Sequence, residues 1–163
     1  MGEAAQMWSI LRTHKSKGFG LLDLVVTLCI ASLLAALAFP AYGMFTQRAK
    51  VSRAIGDIAS LSLAVERFRL NHNDRIPLSL AELGLEIPVD PWGRSYEYLN
   101  IDGAGSGLAG LRKDGRLNPL NSDFDLYSRG KDGDSKGPLS ARASRDDVVR
   151  ANNGAFIGLG EDY

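Results

Sequence analysis

Four aspartates near the C-terminus, Asp132, Asp134, Asp146 and Asp147, fall in a stretch rich in glycine and turn formers. Calcium takes six to eight oxygens from carboxylates and backbone carbonyls, and a loop of this kind is able to wrap them around the ion. The same stretch carries Arg129, Lys131, Lys136, Arg142, Arg145 and Arg150, so it is locally basic, and the competing reading is a set of solvated turn aspartates. A further carboxylate, Asp23, stands at the charged edge of a long apolar run. An ionised side chain at membrane depth costs about 2.5 to 3.5 kcal/mol, so Asp23 needs a cationic partner or an interfacial position.

Residues for covalent chemistry are sparse. No serine sits in a nucleophile elbow, no phosphate-binding glycine loop is present, and the single cysteine, Cys29, lies in the apolar run. Of the two histidines, His14 precedes that run and His72 reads as a polar residue at a helix terminus. The chain is not expected to be an enzyme. Its 19 basic and 19 acidic residues cancel, which leaves no global positive field for a nucleic acid. One cysteine allows neither an intrachain disulfide nor a multi-cysteine zinc site.

The elements that must position these groups begin with the apolar run. No charged side chain occurs from Leu24 to Gln47, and a helix of that length is roughly 36 Å long, enough to cross a hydrocarbon core of about 30 Å. Arg12, Lys15 and Lys17 precede it, placing the N-terminus in the cytoplasm and exporting the remainder. Two readings of the run are a plain signal anchor with Asp23 snorkelling at the interface, and a cleaved secretory signal with small residues at Ala36 and Ala38. The second puts an acid at the start of the apolar region and gives no reason for helical periodicity to resume after Pro40.

After Arg48 that periodicity is amphipathic: Val51, Ala54, Ile55, Ile58, Leu61, Val65 and Phe68 recur at three- and four-residue spacing. One long helix is expected, with Pro40 marking a bend and an end near "NHNDRIP", where Asn71, Asn73 and Asp74 favour turns and Pro77 forbids continuation. Ser79 and Glu82 have capping-box spacing for one short helix. "RSYEYLN" puts Tyr96 and Tyr98 on one strand face, "SDFDLYS" does the same for Phe124 and Leu126, and "KDGR" at Lys113 to Arg116 offers a turn. The expected fold class is α+β, a long N-terminal helix laid on a small antiparallel sheet with a C-terminal loop.

A third reading of the N-terminus rests on a resemblance. Gly18 followed by Phe19, basic residues before, an acid at the fifth position counting from Phe19 and a long apolar helix with Pro40 resemble the class III signal of type IV pilins and pseudopilins. "DPWGRSYEY" from Asp90 and "DFDLYSRGKDG" from Asp123 are similar to segments of the major pseudopilin of the type II secretion system. Asp23 stands where the family commonly has glutamate, and Gly20 where it commonly has threonine; the sign of the charge is kept.

The resemblance implies a pilin-like fold: a leader over residues 1–18, a transmembrane and filament-core helix over 19–47, and a globular head over 48–163. It implies cleavage after Gly18 by a prepilin peptidase, N-methylation of Phe19, and pairing of Asp23 with the Phe19 amine of a neighbouring subunit. The implied protein is a single-pass inner-membrane subunit with its head in the periplasm, which polymerises with itself and with minor pseudopilins on an inner-membrane assembly platform to export folded proteins. The alternative within the same family is a type IV pilus subunit or a minor pilin, serving adhesion, motility or DNA uptake. For the C-terminal loop it implies calcium, held by Asp132, the carbonyl of Arg129, and the pair Asp146 and Asp147.

Overall fold

The computed structural model describes residues 20–102 and 110–163. Gly18, Phe19 and the rest of the expected leader lie outside the described residues, as does most of the glycine-rich stretch between Asp102 and Gly110. The chain divides into two units, one ending at Gly43 and the other spanning Met44–Tyr163. A single 51-residue helix, α1 (Leu21–Asn71), contributes to both.

In the first unit α1 is apolar and exposed, with Leu22, Ile30, Leu34, Leu37 and Phe39 each more than half accessible. It is long and apolar enough to cross a membrane. Two hydroxyls in this stretch bond to the helix's own backbone: Thr27 donates to the Leu24 carbonyl at 2.9 Å and Ser32 to the Cys29 carbonyl at 2.8 Å. The helix continues through Pro40, whose missing amide removes one rung of the hydrogen-bond ladder.

In the second unit the apolar stripe is the buried one. Ala54, Ile58, Leu61 and Val65 are at most 3 % exposed, and Val51 and Ile55 flank them. Burial at this level contributes about 1.5 to 3 kcal/mol for each large side chain. The helix ends at Asn71, and Asn73 and Asp74 follow in left-handed conformation at φ 55° and 64°. His72 stacks its ring on Phe68 at 3.9 Å and places Nδ1 2.8 Å from the Phe68 carbonyl, a terminal polar role. The short helix is a four-residue 3₁₀ turn, Leu80–Leu83, in which Ser79 makes no side-chain cap. The capping box does not form: Glu82 accepts from the Leu78 amide at 3.3 Å rather than from that of Ser79, and it pairs with Arg75.

Four strands, β1 (Glu97–Asn100), β2 (Phe124–Ser128), β3 (Val148–Ala151) and β4 (Phe156–Leu159), form an antiparallel meander in the order β1-β2-β3-β4. Tyr98 pairs with Leu126 and Asn100 with Phe124. Period-two alternation sends Phe124 and Leu126 to the helix side, where they join Tyr96 and Val148. The opposite face carries Tyr127, Val149, Ala151 and Phe156, and is covered by Leu117, Leu120 and Leu139 from the long connections. The sheet is therefore packed on both faces, which is why all of β3 is buried. The hairpin joining β3 to β4 runs through Asn152, Asn153 and Gly154, all at positive φ.

Candidate functional site

The two family-like segments, far apart in sequence, meet at the end of β2. Asp90, 2 % exposed, accepts from the amides of Trp92 at 3.0 Å and Arg94 at 2.8 Å through Oδ1, and from the Ser128 hydroxyl at 2.6 Å through Oδ2. Its backbone closes the turn, accepting from Gly93, which stands at φ 89°. Ser128 in turn accepts from the Gly130 amide at 3.2 Å. Arg94 donates to the Gly130 carbonyl, and Arg129 pairs with Glu97 of β1 at 2.8 Å. The "DPWG" turn is thus the base on which the loop after β2 rests. Trp92 is partly buried against the core, and no ligand-binding role is assigned to it.

That loop returns to β3 through the acidic pair. The Asp146 carboxylate accepts from the amides of Lys131 at 2.8 Å and Asp132 at 3.0 Å. Asp132 accepts from the Asp134 amide at 2.8 Å, and the Arg129 carbonyl accepts from Gly133 at 3.2 Å. Gly130, at φ 61°, lies so close that a Cβ there would stand 2.0 Å from the Asp146 carbonyl oxygen.

Asp147 faces the other way. It is fully buried, bonded to Arg112 and to the Ser135 hydroxyl at 2.7 Å. Burial pushes its carboxyl above the usual carboxylate range, with the Arg112 charge opposing. Arg112 is itself 2 % exposed, lies over the Tyr127 ring at 4.0 Å, and donates to Ser135 at 2.6 Å. Its backbone amide donates to Asp125 at 2.9 Å, another buried carboxyl raised by desolvation.

The resemblance places calcium here. The structure brings Asp132 and Asp146 together, while the Asp147 carboxylate is turned to a guanidinium. Among the described residues no group of three or more His, Cys, Asp or Glu side chains is arranged to hold a metal. As placed, the four expected ligands do not form a calcium cage.

A second buried arginine holds the far edge of β2. Arg150 stacks over Phe124 at 3.9 Å and pairs with Asp123 through two bonds of 2.8 and 2.6 Å. Burial alone would raise the Asp123 carboxyl, but the Arg150 bonds and the Phe124 amide bring it below the usual range. Sequence reasoning gave Arg112 no role and counted Arg150 only among the basic residues of the C-terminal stretch. Their partners lie 35 and 27 residues away, so local pattern carries no sign of them.

At the start of α1 Asp23 accepts from the Gly20 amide at 3.1 Å. A carboxylate in the first turn satisfies a free amide and complements the helix dipole. This is a local partner; the amine of Phe19 lies outside the described residues.

A long apolar helix continued into an antiparallel four-strand meander is the pilin-like α+β architecture. Comparison with known proteins gives the same class. The chain is 31 % identical to a type IV major pilin protein, PilE1, of Neisseria gonorrhoeae over 146 residues, covering 86 % of this chain and 87 % of the pilin. It is 29 % identical to type II secretion system core protein G of Pseudomonas aeruginosa over 150 residues, covering 78 % and 92 %. A fimbrial protein of Neisseria meningitidis serogroup A is 28 % identical over 138 residues, covering 84 % and 80 %. The chain belongs to the type IV pilin and pseudopilin family. No family model matches the chain, and no solved structure does.

Proposed function

We propose that this chain is a structural subunit of a periplasmic pseudopilus of the type II secretion system. Cut after Gly18 by a prepilin peptidase and methylated at Phe19, it polymerises with itself and with minor pseudopilins on an inner-membrane assembly platform. Growth of the filament drives folded proteins across the outer membrane. The head lies in the periplasm, the subunit works by assembling, and it turns over no substrate.

The observation that carries this reading is the joint between "DPWG" and "YSRGKDG". Asp90 and Ser128, one from each segment, bond directly in the second unit, so residues that mark a type II pseudopilin form one structural feature. Similarity to core protein G over 78 % of the chain supports it as well. A type IV pilus subunit is the second reading, favoured by similarity to gonococcal PilE1.

Asp23 supplies the assembly step. Its carboxylate sits at the helix start, four residues along the chain from Phe19, where cleavage creates a cationic amine. In lipid each charge alone is expensive, and opposite charges from adjoining subunits offset one another. Mass spectrometry of the N-terminus from native cells is the test. A methylated Phe19 is expected; a start near Phe39 or an intact leader overturns the processing step. Deleting the gene and scoring exported proteins against surface pili separates the two machines.

A further inference from the structure

We infer that the C-terminal loop of this chain is locked by the cationic side chains of Arg94 and Arg112, in the place where the family resemblance puts calcium. The inference takes only the expected position of the ion from the family reading.

Calcium would need the carboxylates of Asp132, Asp146 and Asp147 and the Arg129 carbonyl to converge on one point. Each of these groups has an internal partner instead. Asp146 takes two backbone amides, Asp132 takes the Asp134 amide, and the Arg129 carbonyl takes Gly133. Asp147 takes Arg112 and Ser135. The decisive contact is the last. Arg112 is fixed by its stack on Tyr127 and by Ser135, and it already neutralises Asp147. A divalent ion bound to the same carboxylate would sit within a few ångströms of a guanidinium that has no exit to water, and like charges at that range repel strongly.

The ion pair runs through Arg112 Nη2 and Asp147 Oδ2. Asp147 Oδ1 and Arg112 Nε are both buried without a partner among the described residues.

Arg94 completes the lock from the other side. Its guanidinium donates to the Gly130 carbonyl and lies against Gly133, where a Cβ would stand 2.7 Å from Nη1. One arginine thus holds the start of the loop and the other holds its return, and the two are carried by different connections of the head.

The test uses the full-length chain in detergent, with melting followed by near-ultraviolet circular dichroism at pH 7. The midpoint in excess chelator should match that in about 5 mM calcium chloride, a concentration that saturates extracellular sites of ordinary affinity. A rise of more than about 3 °C with calcium overturns the inference. Arg112→Met should lower the midpoint by at least about 8 °C, and adding Asp147→Asn should return part of that loss because the stranded charge is removed. A double variant no more stable than Arg112→Met also overturns it. If Arg112→Met fails to fold, the calcium comparison on the unmodified chain still decides. None of these readings depends on whether filaments assemble, so failure of the assembly proposal is told apart from failure of this one.

Discussion

Asp90→Ala tests whether the "DPWG" turn is the base of the head or only its surface decoration. The substitution removes one acceptor group that serves three donors: the amides of Trp92 and Arg94 and the hydroxyl of Ser128. Ser128 is fully buried, so its hydroxyl has no water to turn to and the loss is the desolvation penalty of a buried polar group, about 1 to 3 kcal/mol. The two amides belong to partly exposed residues and recover part of their bonding from water, so about 0.5 kcal/mol each is appropriate. Relief from burying a carboxylate offsets some of this, and loss of the turn's closure adds to it. The net expectation is about 3 kcal/mol. For a cooperative unit of about 120 residues that is a fall of roughly 12 °C in Tm. The assay is near-ultraviolet circular dichroism of the full-length protein in detergent, which follows tyrosine and tryptophan packing in the head rather than the helical signal of α1. Asp90→Asn keeps a carbonyl acceptor and should lose about half as much. A midpoint for Asp90→Ala within 2 °C of the unmodified chain would refute the reasoning, because three bonds converging on a buried group would then contribute nothing measurable.

Gly130→Ala should destabilise by about 3 kcal/mol or more, since its Cβ would stand 2.0 Å from a backbone oxygen; Gly84→Ala, at φ 65° with open space around it, should cost only about 1 kcal/mol, and equal losses in urea melts would discount the contact. Ile58→Ala, wholly buried on the helix stripe, should lose about 3 kcal/mol, whereas Leu63→Ala, 53 % exposed on the same helix, should stay within about 0.5 kcal/mol by the same measurement. Asp123→Asn should lose about 2 kcal/mol at pH 7. Because the folded carboxyl titrates below its unfolded value of about 4, the stability it supplies is present above that pH and is lost as pH falls through the lower folded value; the gap between the two proteins should therefore narrow at pH 3, and a constant gap would count against the Arg150 pair.

The long helix was legible because two of its properties are local: a stretch without charge, then an apolar stripe at helical spacing whose members Ala54, Ile58, Leu61 and Val65 are the buried ones. Alternation around Tyr98 and Phe124 likewise gave β1 and β2 with the correct inward faces. β3 and β4 were not anticipated. Each has four residues, too few for alternation to stand out, and the "NNG" turn signal between them went unread. The layer on the back of the sheet was also hidden, since Leu117, Leu120 and Leu139 are isolated leucines in loops until the chain folds. The surroundings of the acidic cluster were hidden for a related reason. Counting carboxylates says nothing of the donors that meet them, and the one that matters, Arg112, stands 35 residues before Asp147. The capping box did not form because the turn after Ser79 is too tight and short to present an α-helical N-terminus.

The Thr27 and Ser32 hydroxyls turn back onto their own helix. Both donors are retained by the helix itself, and the Cys29 thiol adds only a weak one, so the helix between Leu24 and Pro40 presents little but hydrocarbon to its surroundings. Acyl chains and the flanks of sister rods are then nearly equivalent as solvents for it. If the assembly proposed above holds, a segment of that kind passes from a bilayer into a bundle of its own kind without stripping or regaining a hydroxyl contact, and the direction of travel is left to the charges at its end.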